Sequence, residues 1–145
     1  MSNEIVTASS VISFVERLED DSATFYEGLS AKFDEPKFAA FAKECAKVKV
    51  SVVRTYRETI TDALEACFSF EGLKLADHAV DTELTEGVEF SDALGQAVGL
   101  EQKAVAFYLD AAERSQALLG TIPRAFTRAA KKRSKRLEEL ESMLG

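Results

Sequence analysis

Two stretches of this chain pair a carboxylate with a phenol at the same spacing. Leu18-Glu19-Asp20-Asp21-Ser22-Ala23-Thr24-Phe25-Tyr26 recurs 82 residues later as Leu100-Glu101-Gln102-Lys103-Ala104-Val105-Ala106-Phe107-Tyr108, so both copies read Leu-Glu-x5-Phe-Tyr. Val15, Ala23 and Tyr26 stand at −4, +4 and +7 from Glu19, and Ala97, Val105 and Tyr108 hold the same offsets from Glu101. Each Glu therefore shares a helical face with apolar residues. A carboxylate facing a core loses its hydration and needs compensation from a metal ion, a buried cation or local water. The plainer reading is two partly exposed helix residues, which need no partner.

The elements that would position these groups are helical. A chain of 145 residues fits one compact domain, here residues 1–145, and two prolines, seven glycines, no Trp and abundant Ala, Glu, Leu and Lys favour helices over a sheet. Helix A is expected from about 9 to 32, starting near Ser9 or Ser10, with Val11, Val15, Leu18, Ser22, Phe25, Leu29 and Phe33 along its stripe. Asp34 or Glu35 can cap helix B, expected from about 35 to 66 with Pro36 in its first turn. Its stripe is Phe38, Phe41, Cys45, Val48, Val52, Tyr56, Ile60 and Cys67, with Lys49 beside it.

A crossover over residues 67–90 loses the helical period, though Leu73, Leu75, Val80, Leu84 and Val88 can tack it onto the helices and a one-turn helix fits near residues 75–80. Helix C is expected from about 91 to 118, capped by Ser91 and stopped by Gly120, and helix D from about 121 to 143 along Ile122, Phe126, Ala130, Arg133, Leu137, Leu140 and Leu144. Short joins within A–B and C–D and a long one between them predict a four-helix bundle of two antiparallel hairpins, with an internal duplication.

At this point the chain resembles the ferritin-like superfamily, and within it the rubrerythrin-like proteins. The two Glu-x6-Tyr helices, the proline-opened second helix and the stretch from Asp81 to Leu94 carry the resemblance, which spans nearly the whole chain. It implies two iron or manganese ions held by one Glu each from helices A and C and a Glu-x-x-His pair each from B and D. Glu19 and Glu101 match the A and C ligands. The B and D ligands are missing: residues 48–53 and 131–136 contain neither acid nor His, and the sole histidine, His78, falls in the crossover.

Basic residues stand where those ligands would be. Lys49 from helix B and Arg133 from helix D, with Arg136 one turn on, face inward by the same periodicity as Glu19 and Glu101. An internal salt-bridge cluster in place of the dimetal centre is the leading expectation, with Tyr26, Tyr56 or Tyr108 donating hydrogen bonds. A residual metal site would use Glu19 and Glu101 and recruit Glu44 or Glu138, both off the stripe. Function divides accordingly: a binding or structural module without catalysis or cofactor, or a dimetal oxidoreductase such as a peroxidase or ferroxidase with a non-standard site.

Composition narrows the partners. The formal charge of −7 argues against nonspecific nucleic-acid binding. Charge is also segregated, with seven acidic residues against Lys74 alone between Glu71 and Asp92, and seven basic residues with no acid between Arg124 and Arg136. The basic positions run around helix D without interleaved aromatics, which suits a solvated face opposite the acidic crossover rather than a nucleic-acid interface. Pairing of the two segments between subunits would favour a homodimer. Cys45 and Cys67 lack metal-ligand spacing and read as core residues in a reducing compartment. With neither a signal-peptide start nor a membrane-length apolar run, a cytoplasmic protein without a membrane contact is expected.

Overall fold

A computed structural model of the protein describes residues 7–59, 70, 72–116 and 121–145. Among them lie four α-helices, α1 (Ala8–Lys32), α2 (Pro36–Thr59), α3 (Phe90–Arg114) and α4 (Thr121–Leu144), with a 3-10 turn at Leu75–His78 between α2 and α3. The fold class is all-α. No helix among the described residues is long and apolar enough to cross a membrane.

Local chemistry sets the helix ends, and in one place the sequence reading needs correction. Thr7 caps α1, which begins at Ala8 beside the expected start near Ser9 or Ser10: its hydroxyl accepts the Ser10 N–H at 3.1 Å, so both serines lie in the first turn. Glu35 does cap α2, its carboxylate accepting the Lys37 N–H at 3.3 Å, and Pro36 takes the first helical position, where an N–H would be unpaired anyway. Ser91 is not the cap of α3. That helix begins at Phe90 after an extended Glu89 with no side-chain cap, and its last residue, Arg114, is followed by Ser115, whose N–H donates to the Ala111 carbonyl. Residues 60–66 of the expected helix B, Cys67 and the Gly120 stop lie outside the described residues.

α1 packs mainly on α2 and α3 mainly on α4, while lighter α2–α4 and α1–α3 contacts close the square. Tyr26 meets Phe38 and Phe41 whereas Asp20 reaches Lys49, and Tyr108 meets Phe126 whereas Glu101 reaches Arg133. In both pairs the contacts run in opposite chain directions. Two aromatic groups cap the core: Tyr26, Phe38, Phe41, Phe33 and Phe90 towards one end, Phe70, Tyr108, Phe107 and Phe126 towards the other. A band of charge lies between them.

The crossover lies over the α1–α3 side. Leu73 is buried and Leu75, Val80, Leu84 and Val88 pack partly buried on the core. His78 reaches Asp110 of α3 at 3.2 Å, the Gln96 amide of α3 donates to the Asp81 and Glu83 carbonyls, and Leu84 lies against α1 at Gly28. A Cβ on Gly28 would stand 3.0 Å from Leu84 Cδ1, so the missing side chain admits the crossover.

Candidate functional site

Glu19 and Glu101 project from α1 and α3 into the band between the aromatic groups, where they are 1% and 0% exposed. The apolar period of their helices turns them inward; the same period on α4 turns in Arg133 and Arg136, three residues apart and 0% and 1% exposed. Two carboxylates and two guanidiniums thus share one dry space with no formal net charge.

Arg133 is the centre of the arrangement. Its Nη1 donates to Glu101 Oε2 at 2.7 Å, its Nε donates to Glu19 Oε2 at 3.3 Å, and its Nη2 lies 2.9 Å from Glu19 Oε1. That last contact is an ion pair without hydrogen-bond alignment, since Glu19 Oε1 has no hydrogen-bond partner. Nη2 instead donates to Ser22 Oγ at 3.0 Å, and Ser22 donates to the Leu18 carbonyl at 2.6 Å. The planar fork of donors thus spans both carboxylates and a hydroxyl at once, which a lysine ammonium cannot do in the same geometry.

The phenols cross over. Tyr26 of α1 donates to Glu101 of α3, and Tyr108 of α3 donates to Glu19 of α1. Because each Tyr lies seven residues after the Glu of its own helix, the repeated motif generates both bonds by one pseudo-twofold relation. Burial pushes both phenol pKa values well above the usual value, and the carboxylate facing each one adds to the rise. They are held as donors, in the neutral form.

Arg136 extends the network outward. Its Nη2 pairs with Glu44 Oε1 at 2.7 Å, its Nη1 lies 3.3 Å from Glu101 Oε2 and 3.2 Å from Cys45 Sγ, and its guanidinium stands 5.5 Å from the Tyr26 ring centre and 5.4 Å from that of Phe41. Burial works to lower the pKa of both arginines, and for Arg136 the neighbouring Arg133 charge does so too, but the net direction is upward, raised at Arg133 by Glu101 and Glu19 and at Arg136 by Glu101 with Cys45 and Tyr26. Cys45, a buried free thiol, is pushed up to about 11, chiefly by burial and against the pull of both arginines.

Lys49 does not belong to the site. Its Nζ pairs with Asp20 at 2.8 Å on the outer α1–α2 surface, where the two side chains are 32% and 60% exposed. The buried stripe of α2 runs through Phe41, Cys45, Val48 and Val52, and Lys49 flanks it on the α1 side. A flexible lysine at that edge keeps its hydration by reaching a surface acid. Glu44 flanks the same stripe on the α4 side and joins through Arg136, although its side chain is 39% exposed. Ser22 and Cys45 complete the contacts. Their stripe positions are visible in the sequence, but nothing in their residue types marks them as partners of arginine. Tyr56 is partly buried against the core, and Glu138 is exposed.

The donor set does not fit the dimetal centre implied by the resemblance. The Arg133 guanidinium lies where it contacts both carboxylates, and His78 is engaged with Asp110 in the crossover. Among the described residues no group of three or more His, Cys, Asp or Glu converges to hold an ion. No family model, no curated protein and no solved structure matches this chain.

Proposed function

We propose that this chain is a ferritin-like, rubrerythrin-like bundle of two antiparallel helix hairpins joined by a long crossover, in which a Glu/Arg network has replaced the dimetal centre. It acts in the cytoplasm as a binding or structural module rather than an oxidoreductase. The observation that carries this reading is the Arg133 guanidinium in contact with both Glu19 and Glu101. Two buried carboxylates balanced by two guanidiniums leave no charge for divalent ions to neutralise, whereas a dimetal site needs about four carboxylates for two ions. The repeat supports the family reading independently, since one motif written twice supplies both crossed Tyr–Glu bonds.

A dimetal oxidoreductase with a non-standard site is the second reading, favoured by Glu101 Oε1, which is buried without a hydrogen-bond partner, and by Glu44 at the edge of the network. Metal analysis and an absorption spectrum of protein produced with iron and manganese present separate the two. The leading reading expects metal far below one equivalent and no charge-transfer absorption. Stoichiometric metal that disappears in Glu19→Gln and Glu101→Gln would overturn it.

A further inference from the structure

The outer surface of the bundle is electrically divided. α2 carries six Lys or Arg against two Glu, and α4 seven against three, so the two helices together hold a formal +8, or +6 once the buried Arg133 and Arg136 are set aside, in a chain whose total is −7. All the rest of the chain therefore carries a formal −15, or −13 without the buried Glu19 and Glu101. The helices that carry the positive charge are neighbours. Lys47 and Arg54 of α2 and Arg128 of α4 line one shallow groove, floored by Val50, which is 52% exposed. Arg57, Lys132 and Lys135 extend the basic rows on either side, all three exposed.

The run that reads around helix D in sequence is in fact sorted by the fold. Arg133 and Arg136 turn into the core, while Arg128, Lys131, Lys132 and Lys135 stay outside and make no ion pair among the described residues. Across the bundle, over the α1–α3 side, the crossover exposes Asp77, Asp81, Glu83, Glu86 and Glu89. In the square α1–α2–α4–α3, those two sides are opposite one another, so they cannot pair within one molecule.

We infer that the α2–α4 face is a docking surface for the acidic crossover face of a second copy of this chain. Charge complementarity selects that occupant. A nucleic acid would find phosphate partners on the basic rows, but it would meet no exposed aromatic in the groove to stack on and would be repelled by the acidic remainder of the molecule. A second copy offers an acidic face in its crossover, laid over α1 and α3. The opposed placement also fixes the kind of assembly. A twofold dimer through either face would set like charges against like, whereas face-to-back contact is heterologous and propagates into rings or open chains. The inference concerns the outer surface and holds whether or not the interior takes metal.

Sedimentation velocity over a concentration series, from about 0.01 M to about 1 M salt, tests it, because the screening length then falls from roughly 30 to 3 Å. At low salt the weight-average mass is expected to grow beyond two protomers with concentration, and at high salt to fall to one. A basic-face variant (Lys47→Gln, Arg54→Gln, Arg128→Gln) and an acid-face variant (Glu83→Gln, Glu86→Gln, Glu89→Gln), each with wild-type helicity, are expected to be monomeric alone. Mixed together they are expected to stop at a one-to-one pair, since each retains the face the other lacks. A single-protomer mass at low salt throughout overturns the inference, as does a dimer that persists at high salt. So does wild-type protein that stays monomeric while binding a DNA duplex or heparin with steep salt dependence, which would assign the face to polyanions instead.

Discussion

The central charges are held by contacts that depend on side-chain shape. Arg133 reaches Glu19, Glu101 and Ser22 simultaneously because its donors are fixed in one plane, and both phenols point donors at carboxylates because each sits two turns after its own helix's Glu. Glu19, Glu101, Tyr26, Tyr108, Arg133 and Arg136 are legible from helical period. Lys49 is not, because period gives a direction to within about one side-chain position and does not tell which flank of a stripe faces a neighbouring helix. These residues also set an alkaline limit. An unfolded thiol loses its proton near 9, whereas Cys45 holds it to about 11, so the folded state binds the extra proton and stability falls as pH rises through that window. Tyr26 and Tyr108, raised from 10.0, continue the loss above pH 10. Urea unfolding followed across this range is expected to show declining stability, and Cys45→Ala to flatten the lower part of the slope. An undiminished slope in that variant would remove Cys45 as its source.

At the scale of elements, four helices, the Glu35–Pro36 start of α2 and the apolar anchors of the crossover are legible in the sequence, because stripes, prolines and glycines mark them directly. The cap of α1 at Thr7 and the start of α3 at Phe90 are not. Several small polar residues cluster near each start, and which one closes the first turn depends on where the preceding chain comes from. Two glycines of the crossover are favoured by their backbone, Gly72 at φ +82° and Gly87 at φ +76°. A Cβ on Gly72 would also meet the Arg114 guanidinium, whereas one on Gly87 would meet open space. Gly72→Ala is expected to lower stability by about 1–2 kcal/mol from left-handed strain, since the Arg114 guanidinium, at the end of a flexible side chain, can move aside at little cost. An unchanged melting temperature would mean the segment relaxes without cost.

For the whole molecule, the aromatic groups exclude water from both ends of the charged band, and low dielectric there makes completeness the governing property. Burying ions costs several kcal/mol each, which excellent geometry roughly offsets, so the network specifies how the four helices meet more than it adds net stability. Replacing Glu19, Glu101, Arg133 and Arg136 together by Leu and Met is therefore expected to cost less than losing Arg133 alone, as read by thermal unfolding. A quadruple variant less stable than the single one would show that the network contributes net stability. The overall charge of −7 does not reveal the two-sided surface, since the positive helices α2 and α4 are separated by 61 residues in sequence and adjoin only in the fold.

The most direct measurement of the central claim is the unfolding free energy of Arg133→Met from urea denaturation at neutral pH. The substitution keeps much of the side-chain volume while leaving Glu19 and Glu101 facing each other without the cation they share. A loss of about 3–5 kcal/mol, a large part of the roughly 5–15 kcal/mol available to a domain of this kind, is the expected result. A loss below about 1 kcal/mol, the size of an exposed ion pair, would contradict the account.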